Sequence, residues 1–212
     1  MSPETKQTEL WRGAFGDAYV DRNSIEPETI RRNISAYSEI LSCAEGAPPR
    51  SILEVGANIG LNLRAISQIS DAELYAIEPN GKARETLLRD QVLKEENIFD
   101  AIAGDIPLGD RSVDLVFTAG VLIHIPESEL ETAYREMHRV ADRYLLSIEY
   151  FSPTPVVIPY RGETEALFKR DFGGLWLDLF DDLEPVANGF FWKRTTGMDD
   201  VNWWLFRKTR SA

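Results

Sequence analysis

The sequence predicts a doubly wound α/β fold: a mostly parallel sheet with helices on both faces, ending in an antiparallel hairpin. Three observations predict it. Short β-branched runs alternate with longer helical stretches through the middle of the chain, the pattern of successive βα units. A turn bearing Gly56 and Gly60 follows the first of those runs. Near the C-terminus, segments 185–193 and 201–208 read as strands with no helix between them, so they should pair antiparallel.

The elements follow in order. Before the sheet, Trp11, Phe15 and Tyr19 recur every four residues, and Pro27 is expected to open a helix reaching Cys43. Such an aromatic stripe packs against a core more often than it touches a ligand; the alternative is a lid over a site. Pro48-Pro49 then breaks the chain before a first strand at 51–55. A helix over about 60–69 carries Leu63, Ile66 and Ile69 on one face. Further strands are expected at 73–77, 98–103, 113–117 and 143–149, with helices at 80–92 and 127–140. Ser128 and Glu131 are spaced as a capping box near the start of the latter helix. Pro153, Pro155, Pro159 and Gly162 argue for an irregular crossover, and a helix is expected over 164–180. Residues 1–47 thus form an N-terminal helical segment or lid, and 48–212 a ligand-binding domain, within one globular unit.

Composition narrows the function. Acidic residues outnumber basic ones 35 to 23, a net charge of −12, and Lys and Arg occur singly or in pairs such as Arg31-Arg32 and Lys169-Arg170. Nucleic acid as a main partner needs a basic stripe that is missing here. No apolar run approaches the roughly 18 residues that span a bilayer. The polar N-terminus and the single cysteine, Cys43, fit a reducing cytoplasm, and no metal centre is expected.

The chemistry gathers at strand ends. Glu54 closes the first strand just before Gly56-Ala57-Asn58-Ile59-Gly60, where glycines allow close backbone approach to a ligand. Glu78, followed by Pro79, ends the second strand, where a carboxylate can accept hydrogen bonds from two ribose hydroxyls. Asp105 after the third strand can accept from an adenine amino group, with Ile106 against the ring, and Ala119, just after the fourth strand, is a further cofactor candidate. Any one of these is a weak signal. Three acidic residues ending three successive strands, with the turn in the first, point to an adenosyl ligand. A nicotinamide dinucleotide fits poorly, because the pattern Gly-x-Gly-x-x-Gly fails at Asn58 and Leu61, and no Tyr-x-x-x-Lys pair occurs.

Residues 54–60 resemble motif I of S-adenosylmethionine (SAM)-dependent methyltransferases, with Asn58 where the middle glycine commonly stands. From Trp11 to Lys208 the chain is also similar to the methylases associated with pseudaminic acid biosynthesis. That likeness is carried by Phe15-Gly16-Asp17-Ala18-Tyr19, Leu53-Glu54-Val55-Gly56-Ala57-Asn58-Ile59-Gly60-Leu61-Asn62 and Gly120-Val121-Leu122-Ile123-His124-Ile125. It continues in Pro153-Thr154-Pro155, Pro159-Tyr160-Arg161-Gly162, Phe168-Lys169-Arg170-Asp171-Phe172 and Trp203-Trp204. The resemblance implies a Rossmann-like class I methyltransferase fold: a mostly parallel seven-stranded sheet, a C-terminal antiparallel hairpin and an N-terminal helical lid. It implies SAM as cofactor, S-adenosylhomocysteine (SAH) as product, and a small-molecule acceptor, with a sugar or acidic sugar as the expectation. An acidic residue such as Glu54 suits a ligand that carries an ammonium and a sulfonium and no phosphate.

For the acceptor, His124 is the candidate base, the alternative being a histidine that orders its turn through a backbone carbonyl. His138 lies in an expected helix and reads as structural. Tyr19, Glu149, Tyr150, Tyr160, Arg161 and Arg170 are candidates for acceptor binding, the arginines because they pair bidentately with carboxylates. A SAM-binding protein without catalysis, or a methyltransferase for a non-sugar small molecule, would have much the same sequence.

Overall fold

The structure is a computed structural model that describes residues 6–160 and 163–209. Three helices come first: α1 (Lys6–Arg12), α2 (Ala14–Arg22) and α3 (Pro27–Ser42). The sheet and its helices follow as β1 (Ser51–Val55), α4 (Leu61–Ile66), β2 (Glu73–Ile77), α5 (Gly81–Arg89), β3 (Ile98–Phe99) and β4 (Val113–Ala119). Then come α6 (Glu127–Val140), β5 (Ala141–Glu149), β6 (Val156–Tyr160), β7 (Glu163–Lys169), α7 (Phe172–Leu179), β8 (Leu183–Phe191), α8 (Lys193–Thr196) and β9 (Val201–Lys208).

Seven strands form one sheet in the order β3-β2-β1-β4-β5-β9-β8. The first five run parallel, and β9 is antiparallel to both β5 and β8, as the sequence predicts. The strand order reverses between β1 and β4, which opens a crevice at their carboxyl ends, the place where open α/β sheets bind ligands.

Side-chain alternation explains the two layers. Leu53 and Val55 of β1 join the face covered by Leu130, Tyr134 and Met137 of α6 and by Phe172 and Trp176 of α7. Ile52 of the same strand joins the opposite face, with Tyr37 and Ile40 of α3, Leu63 and Ile66 of α4 and Leu87 of α5. Trp203 and Trp204 divide in the same way: Trp203 packs with the second face and Trp204 against the first. No helix among the described residues is long and apolar enough to cross a membrane.

The structure departs from expectation in four places, one being the single-turn helix α8 in the β8–β9 connection that the sequence reads as helix-free. The third strand stops at Phe99, after which Ile102 and Asp105 make only an isolated bridge. The start of α6 uses Pro126 as N-cap without a side-chain bond, so Ser128 lies inside the first turn and the capping box does not form. Val156–Tyr160 and Glu163–Lys169 form a separate antiparallel pair, where the sequence suggests an irregular crossover followed by a long helix. Val156-Val157-Ile158 favours extended backbone and supplies a pairing partner, and the pairing outweighs the helix-forming composition of 163–169. Pro159 lies at the register shift between Ile158 and Tyr160, where a missing N–H does least harm. The helix begins only at Phe172, capped by Asp171, whose side chain accepts from the Gly174 N–H at 2.8 Å.

Candidate functional site

The β1–α4 turn depends on three left-handed residues. Gly56 (φ 78°), Asn58 (φ 48°) and Gly60 (φ 74°) all lie in the region that disfavours most side chains. Asparagine tolerates it best among the non-glycines, which is why Asn58 can stand where a glycine is commonly found. Its side-chain oxygen accepts from the Ile59 N–H at 2.6 Å and fixes the bend. A Cβ at Gly56 would come within 2.5 Å of Val121, so β1 and the chain after β4 approach closely here. Gly60 serves packing: a Cβ there would meet Leu87 at 2.6 Å.

Above this turn lies a cavity of about 660 Å³, within the range of pockets that enclose small ligands. Its floor includes Glu54, Gly56, Ala57, Asn58, Glu78, Pro79 and Ala119, seven of the ten residues expected at the cofactor. Gly60, Asp105 and Ile106 are not on its wall. Ile106 is buried in the core, and Asp105 faces outward because the short β3 turns the chain early; Ile102, Ala103 and Gly104 line the cavity in their place.

Two carboxylates dominate the floor. Glu54 is 2% exposed, and burial pushes its carboxyl up to about 8, against a bond from Asn62; Glu78 raises it further. Asn62 Nδ2 donates to Glu54 Oε1 at 2.6 Å, while Glu54 Oε2 is buried with no partner. Asn33 Nδ2 in turn donates to Asn62 Oδ1 at 2.9 Å. Glu78 accepts the backbone N–H of Asn58 (2.7 Å) and of Asn80 (2.8 Å), one on each oxygen. Burial raises its carboxyl as well, partly opposed by those two bonds. Each carboxylate oxygen can accept more than one hydrogen bond, so Glu78 retains capacity toward the cavity.

The rest of the wall includes Tyr19, His124 and Tyr150, as expected, together with Trp11, Arg32 and Asp199. The His124 ring lies 4.9 Å from that of Trp11, on a short turn (Leu122–His124). Trp11 also meets Phe15 and Tyr19 edge-on, each at 5.3 Å. Trp11 and Tyr19 are therefore half-buried at the cavity, not sunk in the main core, while Phe15 is half-buried off its wall. Tyr150 donates to Asp199 at 3.1 Å, and Lys169 lies over its ring at 4.9 Å.

Two acceptor candidates lie elsewhere. Glu149 is fully buried behind the His124 turn, where its carboxylate accepts the N–H groups of Val121 and Leu122 (3.1 Å each) and Ile123 (3.4 Å). Burial pushes it up to about 7 in spite of those bonds. Arg170 is buried away from the cavity wall, 3.2 Å from Glu127 and over the Phe168 ring. Arg161 and the side chain of Tyr160 fall outside the described residues. Sequence reasoning passed over Asn33, Arg32 and Asn80 and favoured core packing over a lid for Trp11; Asn62 was within reach, inside the 53–62 motif and eight positions after Glu54.

Residues 53–143 match the methyltransferase domain family. No protein of curated function matches the sequence. Among solved structures, the Burkholderia thailandensis 1,6-didemethyltoxoflavin-N1-methyltransferase, crystallised with its acceptor and SAH, aligns with a TM-score of 0.71 at 14% identity, covering 99% of this chain and 92% of that one. The magnesium protoporphyrin IX methyltransferase of Synechocystis PCC 6803, with bound SAM, gives 0.68 at 13% identity over 99% and 100%. A SAM-dependent methyltransferase from Aquifex aeolicus gives 0.63 at 19% identity over 91% and 98%. The fold is thus the Rossmann-like class I methyltransferase fold.

Proposed function

We propose that this chain, residues 53–143 of which match a methyltransferase domain, is a SAM-dependent enzyme that methylates a small hydroxylated acceptor of the sugar or acidic-sugar kind, with His124 as base. The observation that carries the site reading is the buried, unpartnered Oε2 of Glu54 beside the cavity. An ammonium group there would satisfy it, and a ligand ammonium is what the amino-acid end of SAM presents. Glu78 would hold the ribose hydroxyls, and the chain at 102–104 would face the base. SAM supplies an electrophilic methyl group when bound.

What the protein then contributes is alignment and a proton acceptor. Holding two reactants in line is worth up to roughly 7–11 kcal/mol in favourable cases. A hydroxyl loses its proton on transfer, and a neutral imidazole at His124 would take it. Trp11 and Tyr19, in a lid formed by residues 1–47, would exclude water from the acceptor side. A sugar acceptor is favoured by the similarity to pseudaminic acid-associated methylases and by hydrogen-bonding groups of Asn23, Thr29, Ser128 and Asp199 along the wall. Arg32, whose Nη1 donates to the Gly197 carbonyl at 2.7 Å, is a described cation on that wall and the one to meet an acceptor carboxylate. A part for Arg161 in the same task stays within the proposal; Arg170 is better read as structural. The single half-buried cysteine, Cys43, fits a cytoplasmic setting.

The test is incubation with methyl-labelled SAM and a panel of nucleotide sugars and free acidic sugars. Label transferred to a sugar, abolished by His124→Ala, supports the proposal. Transfer only to non-hydroxyl acceptors from a cell extract would reject the sugar and the base together.

A further inference from the structure

The segment Phe15-Gly16-Asp17-Ala18-Tyr19 meets the loop after β2 at one residue, Asn80, which is 2% exposed. Each hydrogen-bonding group of Asn80 is engaged. Its backbone N–H donates to Glu78 Oε1 at 2.8 Å, and its carbonyl accepts from Arg84 N–H at 3.2 Å. Its Oδ1 accepts from Ala83 N–H at 2.9 Å, capping α5. Its Nδ2 donates to the Trp11 carbonyl at 3.1 Å and to Asp17 Oδ1 at 2.9 Å.

Gly16 makes the approach possible, since a Cβ there would lie 2.8 Å from Asn80 Nδ2 and 1.9 Å from the Trp11 carbonyl oxygen. Ion pairs surround the contact: Lys82 with Asp21, Arg12 with Asp100 and Arg84 with Asp100. The apolar packing beneath α2 is small, a cluster of Val20, Ile59 and Ala83 with Leu61 beside it. With so little buried apolar area, the polar contact carries a large share of what holds the helices in place. One loop therefore touches both the carboxylate on the cavity floor and the helices that carry Trp11 and Tyr19.

We propose that Asn80 and Asp17 are positioning residues that make the aromatic acceptor wall answer to cofactor occupancy. The proposal rests on the reading of Glu78 as the ribose carboxylate. A ligand bound to Glu78 fixes the carboxylate, the carboxylate fixes the Asn80 backbone, and Asn80 Nδ2 passes that order to α1 and α2. Linkage makes the coupling reciprocal: whatever releases the helices weakens the ligand by the same factor.

Hydrogen exchange and calorimetry with SAH as the probe test this. In the native protein, SAH should slow exchange at 54–60, at 78–80 and also at 8–22. Asp17→Ala should lose the effect at 8–22 and bind SAH at least about fivefold more weakly, the low end of typical couplings. Asn80→Asp should behave alike, since it keeps the cap on Ala83 but sets a carboxylate against Asp17. Adding Asp17→Asn to Asn80→Asp restores one donor–acceptor pair and should recover part of both effects, which a merely structural defect would not. Unchanged exchange over β4 reports that each variant is folded. The proposal is overturned if SAH protects only 54–60 and 78–80 in the native protein, or if Asp17→Ala binds SAH as tightly with 8–22 still protected. Absence of protection at 54–60 as well would overturn the cofactor reading itself, and the coupling with it.

Discussion

Asn62 Nδ2 reaches Glu54 Oε1 at 2.6 Å, and the other oxygen of that carboxylate is buried without a partner. A half-satisfied carboxylate in the interior costs free energy unless it keeps its proton or meets a donor. With burial pushing it up to about 8, Glu54 holds its proton at pH 7 in the ligand-free protein. An arriving ammonium favours the charged form, so binding should release that proton.

Titration of SAH at pH 7 in two buffers of different ionisation enthalpy should therefore give different heats, the difference corresponding to nearly one proton released. Glu54→Gln should abolish the buffer dependence. Identical heats for the native protein would contradict the assignment. Stability carries the same sign. Because the folded group titrates above its unfolded value, its contribution is fully present below the ordinary carboxylate range and is lost as pH rises through about 8. Ligand-free Glu54→Gln should accordingly gain on the native protein in melting temperature between pH 6 and pH 9.

Glu78→Gln is expected to weaken SAH about tenfold or more, since a charged hydrogen bond is worth roughly 1.5–3 kcal/mol. The new amide would also set a donor against the N–H of Asn58 or Asn80. Calorimetry decides it; an unchanged dissociation constant would remove Glu78 from the site.

His124→Ala should lower methyl transfer by about 10²–10⁴-fold, the range for a lost general base, a loss far larger than any change in SAH affinity. Single-turnover rates with whichever acceptor the panel identifies provide the measurement. A full rate in the variant would remove His124 from the chemistry.

Glu149→Gln should destabilise the protein by about 1–3 kcal/mol, because the amide would face the Ile123 N–H with a second donor. The native carboxyl, raised to about 7, contributes stability below the ordinary carboxylate range that is lost as pH rises through 7. The deficit of the variant should thus be larger at pH 5 than at pH 8 in thermal melts. SAH affinity should stay the same, since Glu149 lies off the cavity wall.

Much of the fold was legible because its signals are local. The β-branched runs, the bend around Gly56 and the antiparallel pairing of β8 with β9 each follow from short stretches of chain. The 156–169 hairpin was not, because residues 163–169 have helix-forming composition and become a strand only through pairing with 156–160. At the site, Glu54 and Glu78 could be read from where their strands end. Asp105 could not, because its placement assumed a longer third strand than Ile98–Phe99 provides. Glu149 was misplaced for a different reason: its strand position is as expected, but the 121–123 turn folds over it and takes up its carboxylate. Trp11 and Asn80 lie 69 positions apart, and nothing in either neighbourhood announces their contact.

A crystal structure with SAH bound is the decisive measurement. It should show the ribose hydroxyls on the Glu78 carboxylate and the ligand ammonium within hydrogen-bonding distance of Glu54 Oε2. A ligand seated away from the β1–α4 turn, or bound there with Glu54 Oε2 facing no donor, would contradict that placement.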